Sequence, residues 1–135
     1  TLDTVDEQVQ FQAGARDNPP VVIDYFPPVG TGRGYTSLEL LMASYGSCLS
    51  TTVLTLLRHK MGKSVAKVSA EVTGTIRDEH PKALRHMAVA LTLKARDLSE
   101  AEVRQALQAA EEKLCPVWAM LKGNVDIDIH VHIVR

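Results

Sequence analysis

Thr36-Ser37-Leu38-Glu39-Leu40-Leu41-Met42-Ala43-Ser44-Tyr45-Gly46-Ser47-Cys48-Leu49-Ser50-Thr51-Thr52-Val53-Leu54-Thr55-Leu56-Leu57 is the stretch on which the fold turns. Apolar residues stand at Leu38, Leu41, Met42, Tyr45, Leu49, Val53, Leu56 and Leu57, the three-and-four spacing of a helix. Thr36 or Ser37 offers an N-cap, and Gly62, just past Met61, offers a left-handed stop. Such a helix measures roughly 36 Å, long for a chain of 135 residues. Its first half is apolar on nearly every face, and a helix of that kind is covered all round. One small sheet cannot do that alone, so a partner subunit is expected. Glu39, Tyr45, Gly46 and the Ser and Thr residues break the apolar run, which therefore reads as a buried helix and not as a membrane span. A mid-helix glycine costs about 1 kcal/mol against alanine, so Gly46 suggests close approach by another backbone.

Upstream, Val5 to Ala13 alternates apolar and polar residues and Val21 to Phe26 is β-branched and aromatic, so both read as strands. Gly14 to Pro20 supplies the turn between them, and Pro27 to Gly34 is a Pro- and Gly-rich loop. Downstream, Ser64 to Arg77 and His86 to Arg96 alternate as two further strands around the turn Glu79-His80-Pro81-Lys82. Ser99 and Glu102 form a capping box, followed by a helical stripe of Val103, Ala106, Leu107, Ala110 and Leu114. Cys115-Pro116 interrupts that stripe, and Pro116 suits the first position of a short helix ending before Gly123-Asn124. Val125 to Val134 alternates strictly as a last strand. The order β, β, long α, β, β, α, short α, β predicts one α+β domain over residues 1–135, an antiparallel sheet packed on a long central helix.

Composition excludes several classes. Apolar residues make up 45% and charged residues 23%, and the net charge is −1, so no basic field exists to attract nucleic acid or anionic membrane. Aromatic residues are only 4%, too few for stacking platforms on single-stranded nucleic acid. Two cysteines cannot make a secreted disulfide scaffold or a four-thiolate zinc site. No signal peptide is visible, and a cytoplasmic location is expected.

Chemistry therefore rests on few residues. Cys115 precedes a proline-initiated helix, where free N–H groups and the helix dipole favour an anion and lower a thiol pKa. Cys48 lies mid-helix, so any activation must come from a cation brought from elsewhere. Read singly, each could equally be a small, inert, buried hydrophobe. His130 and His132 share a strand face, but two ligands do not make a metal site. His59 suits the helix C-terminus, and His80 and His86 are turn and strand-start residues. Trp118 and Met120 either cover the thiol pocket or pack in the core.

The segment Thr36 to Cys48 resembles the helix motif of the OsmC/Ohr superfamily, the osmotically inducible and organic hydroperoxide resistance proteins. Cys115-Pro116-Val117-Trp118-Ala119-Met120-Leu121-Lys122-Gly123-Asn124-Val125 resembles that family's second cysteine motif, and the elements between fall in the family's order. The resemblance covers about residues 36 to 135. It implies an OsmC-like α+β fold in an intertwined homodimer with an active site at each subunit interface. It also implies thiol-dependent reduction of organic hydroperoxides without cofactor or metal. Cys48 would be the attacking thiolate, Cys115 the thiol that closes a disulfide, and an external dithiol the reductant. An arginine beside the thiolate would be Arg16, within Gly14-Ala15-Arg16-Asp17, with Arg33 as the competing candidate. The peroxidase branches also carry a glutamate ten positions before the reactive cysteine, after a proline; here Leu38 and Ser37 stand there, and Glu39 comes one residue late. That departure points to the less characterised OsmC-like branch. It also leaves a small-molecule binding or oxidant-sensing protein with little turnover as the alternative.

Overall fold

The long helix forms where the apolar spacing places it. In the computed structural model, which describes residues 1–135, α1 (Ser37–Thr55) continues through a π-helical turn at Leu56–Lys60. Thr36 is its N-cap. The Thr36 hydroxyl accepts from the Glu39 amide at 3.2 Å, and the Glu39 carboxylate accepts from the Thr36 amide at 2.9 Å, a reciprocal capping box. Gly62, at φ 65°, follows the helix in the left-handed conformation that glycine adopts without strain.

The structure divides into two compact units, Thr1–Leu41 and Met42–Arg135. The first holds an antiparallel three-stranded sheet, β1 (Leu2–Thr4), β2 (Phe11–Ala13) and β3 (Val21–Ile23). The single strand expected over Val5 to Ala13 is instead a hairpin. The Asp6 carboxylate accepts from the amides of Gln8 at 2.9 Å and Gln10 at 3.1 Å, so the chain turns there despite its alternating apolar residues. The strand expected to reach Phe26 stops at Ile23 because Asp24 turns inward. Its carboxylate accepts from the Thr31 hydroxyl at 2.5 Å and from the amides of Tyr25 and Arg33 at 2.8 and 3.3 Å. Gly30 permits this closure, since a Cβ there would lie 2.4 Å from the Tyr25 carbonyl oxygen.

The second unit holds β4 (Val65–Ile76), β5 (Leu84–Ala95) and β6 (Asp126–Val134) in the order β4-β5-β6. β4 and β5 are antiparallel across the turn, but β6 runs parallel to β5, with Val89 opposite Ile129. The sheet is therefore mixed, not wholly antiparallel. A helical crossover returns the chain to the end of the sheet where β5 began, and such a connection delivers a parallel strand. The crossover comprises α2 (Glu100–Ala109), a π-helical turn Ala110–Leu114 and α3 (Pro116–Leu121). Ser99 and Glu102 form the expected capping box, and Lys63 pairs with Glu102 at 2.8 Å.

The core is aliphatic: Leu49, Val53 and Leu57 of the long helix, Met87, Val89, Leu91 and Leu93 of β5, and Val103 and Ala106 of α2 are all fully buried. Gly46 lies where α1 crosses β4. Its neighbour is the Val72 side chain, 3.1 Å from a notional Cβ, and not a second backbone. The helix is also less uniformly apolar than expected. Ser44, Ser47, Thr51 and Thr55, spaced three and four apart, form an exposed stripe of small polar residues. Ser37–Lys60 is long and apolar enough to cross a membrane by length and composition, yet it carries both this stripe and a buried core face.

Candidate functional site

The two cysteines meet in the second unit. Cys48 sits in the middle of α1, half-exposed; Cys115 is the N-cap of α3 and is 2% exposed. Their sulfurs are 3.2 Å apart, with the Cys115 thiol donating to the Cys48 sulfur. That is closer than ordinary sulfur contact and about an ångström beyond the S–S bond length. The π-helical turn helps to place Cys115, whose amide donates to the Ala110 carbonyl at 2.9 Å, five residues back. Pro116 holds the preceding residue extended, at φ −90° and ψ 103°, so the chain leaves one helix and starts another at the thiol.

The helix start acts on Cys115, but it does not decide its ionisation. Burial pushes the thiol up to about 11; the amides of Trp118 and Val117 oppose this, and the Cys48 sulfur adds to it. The expected lowering at a helix N-terminus is thus overridden by burial, which takes from a thiolate the water that would solvate it. At neutral pH Cys115 keeps its proton. Cys48, the more accessible of the two sulfurs, receives the hydrogen bond.

Two aromatic residues complete the cluster. Tyr45 stands one helical turn before Cys48, and Trp118 one turn after Cys115. Their rings meet edge to face, with centroids 5.8 Å apart and planes at 84°. Trp118 is thus part of the core, one of its two expected places, whereas Met120 is 70% exposed and covers neither thiol nor core. Sequence reasoning passed over Tyr45 as one more apolar position; its place three residues before a cysteine was the available signal.

The other candidates lie elsewhere. Arg16, Arg33 and Glu39 belong to the first unit. Arg16 is exposed, at φ 56°, in a turn closed by the Asn18 amide donating to the Ala15 carbonyl. Arg33 and Glu39 line one cleft of about 670 Å³ with Val22 and Tyr35. Glu39 is tied to Thr36, whose amide and hydroxyl hold its carboxyl below the usual range. The Thr31 hydroxyl, with the amides of Tyr25 and Arg33 and the Gln10 side chain, holds the Asp24 carboxyl far below that range against the effect of burial. His86 pairs with Asp128 at 2.8 Å, His130 and His132 stand on an exposed strand face, and no group of three or more His, Cys, Asp or Glu side chains gathers as metal ligands do.

Known proteins resemble this chain in sequence and in fold. Residues 30–130, a span that includes both cysteines, match the family described as OsmC-like protein. Protein YhfA of Escherichia coli (strain K12) is 29% identical over 90 residues, covering 67% of this chain and 66% of that protein, so the chain spans just under two thirds of that relative's length. A Staphylococcus aureus (strain USA300) protein named organic hydroperoxide resistance protein-like is 27% identical over 122 residues, covering 87% of this chain and 84% of that one. The crystal structure of an OsmC like protein from Mycoplasma pneumoniae has a TM-score of 0.81 at 21% identity, covering 100% of this chain and 98% of that one, a likeness of fold. Two cysteine motifs, a long helix, two three-stranded sheets and a family match over most of the chain converge: this chain belongs to the OsmC-like protein family of the OsmC/Ohr superfamily.

Proposed function

We propose that this protein is a thiol-dependent peroxidase that reduces organic hydroperoxides. The observation that carries the reading is the 3.2 Å contact between the Cys48 and Cys115 sulfurs. The accessible sulfur, Cys48, attacks the outer peroxide oxygen as a thiolate. The O–O bond breaks, the alkoxide takes up a proton and leaves as an alcohol, and Cys48 becomes a sulfenic acid. Cys115 then gives up its proton and attacks the Cys48 sulfur. A disulfide forms and the sulfenic hydroxyl leaves as water. An external dithiol restores both thiols with two electrons.

The family relation and the S. aureus relative's name support this substrate class. The reading assigns to Arg16, with Arg33 as the competing candidate, the cation beside the thiolate. It also has the chain acting as a cytoplasmic homodimer, where small dithiols and dithiol proteins stay reduced. The exposed stripe Ser44, Ser47, Thr51 and Thr55 suits close packing of a second helix. A second reading, oxidant sensing or small-molecule binding with little turnover, is favoured by one feature. Leu38 occupies the position of the peroxidases' glutamate, and Glu39 is engaged with Thr36. Product analysis separates the two. With cumene hydroperoxide and dithiothreitol, an enzyme releases many equivalents of cumyl alcohol per chain, and Cys48→Ser reduces this to background. A sensor or binding protein of little turnover releases the alcohol scarcely faster than dithiothreitol does alone. Full activity in Cys48→Ser contradicts both.

A further inference from the structure

The Tyr45 hydroxyl is the one buried side-chain oxygen or nitrogen without a hydrogen-bond partner, on a residue that is fully buried. An unpaired buried hydroxyl is costly, and a natural core position could hold phenylalanine at the same volume. Its surroundings show what it could serve. Tyr45 and Cys48 lie three residues apart on α1, the spacing of side chains on one helix face. Cys115 and Trp118 lie three apart across the start of α3. The two pairs face each other, ring against ring and sulfur against sulfur, with centroids at 5.8 Å and sulfurs at 3.2 Å. Burial pushes the phenol far above its ordinary range, and charges on Cys115, Glu111 and Cys48, in that order, push it further. The phenol therefore keeps its proton, and it lies within reach of the field of a Cys115 thiolate.

We propose that Tyr45 is a positioning residue for the resolving thiol: its hydroxyl, unpartnered in the reduced pair, donates a hydrogen bond to the Cys115 sulfur whenever that sulfur carries negative charge. The inference rests on the two-thiol reading of the site and extends it. Burial alone would make a Cys115 thiolate prohibitive, yet that thiolate must exist twice in a cycle. It exists once when Cys115 attacks the sulfenic acid, and again when it leaves on reduction of the disulfide. In the second step the dithiol's thiolate attacks the accessible Cys48 sulfur. The S–S bond breaks, its electron pair passes to Cys115, and Cys115 then takes up a proton. The second dithiol sulfur displaces Cys48, giving a cyclic disulfide and the reduced protein.

The test needs no peroxide. Diamide oxidises the pair to the disulfide and is itself reduced to the hydrazine; dithiothreitol then reduces the disulfide at pH 7. Tyr45→Phe keeps the ring contact with Trp118 and is expected to melt at or above the wild-type midpoint. It is expected to slow reduction about tenfold, the weight of one hydrogen bond to a charged group. Alkylation of Cys48 by iodoacetamide in the reduced protein is expected to change less than about twofold, whereas a merely loosened core would speed it. Equal reduction rates in the two proteins overturn the proposal, as does a slower rate accompanied by faster Cys48 alkylation. Failure of diamide to form the disulfide overturns it together with the two-thiol reading. If the disulfide forms and Tyr45→Phe slows its reduction, but cumene hydroperoxide consumes no thiol, only the peroxidase reading falls.

Discussion

At the scale of single residues, burial decides between effects that sequence position alone leaves balanced. Cys115 sits where helix geometry favours an anion, and Trp118 and Val117 do direct amides toward its sulfur, but desolvation is larger and the thiol is pushed up to about 11. If Cys115 must ionise before it attacks, disulfide closure after peroxide addition should quicken roughly tenfold per pH unit between pH 7 and 9, as its thiolate fraction grows. Rapid-quench mass spectrometry would show this, and a pH-independent rate would contradict it. Cys115→Ser should still lose its remaining thiol to peroxide but stop at sulfenic or sulfinic acid. Asp24 gives the opposite case. Its folded pKa is depressed, so the stability it contributes is complete above the ordinary carboxylate range and is lost progressively as pH falls from that range to the depressed value. The Thr31 amide resonance should therefore show no titration step between pH 7 and 3; a step near pH 4 would refute the assignment. The identity of both cysteines was legible in the sequence because they sit in motifs. Asp24 and Tyr45 were not, because their significance lies in partners seven residues away for one and 73 away for the other, Thr31 and Trp118.

Elements were legible where a cap or a strict alternation marked them. The capping boxes at Thr36–Glu39 and Ser99–Glu102, Pro116 at the start of α3, and the turn after Lys60 all formed where local chemistry asked. Ser99→Ala should cost about 1 kcal/mol in chemical denaturation, the usual weight of a lost N-cap. Leu49→Ala, at a fully buried position of α1, should cost about 2–5 kcal/mol. Gly30→Ala should cost about 1–3 kcal/mol, because its methyl group would press on the Tyr25 carbonyl, which cannot swing aside as a side chain does. Elements failed to read correctly where a polar side chain took over backbone bonds. Asp6 folded an apparent strand into a hairpin and Asp24 ended another early, and neither effect shows in apolar periodicity. The parallel entry of β6 was equally hidden, since its alternation is the same in either direction and only the crossover sets it.

For the whole molecule, the long helix presents its core face to β4 and β5 and an exposed line of Ser44, Ser47, Thr51 and Thr55 on another side. If that line is the seam with a second copy, light scattering should give twice the chain mass, and Thr51→Arg should shift the protein toward monomer by placing a charge in the seam. A wild-type monomer at micromolar concentration would remove the homodimer from the proposal. The α+β class and the family were readable from two motifs and their order, whereas the contact between the thiols required the crossover to bring residue 115 back onto residue 48. The central claim is that these two sulfurs act as one redox pair. Stopped-flow mixing of the reduced protein with t-butyl hydroperoxide, followed by thiol titration and peptide mapping, tests it most directly. The account predicts the rapid loss of two thiols per chain and a Cys48–Cys115 disulfide; two intact thiols under excess peroxide would contradict it.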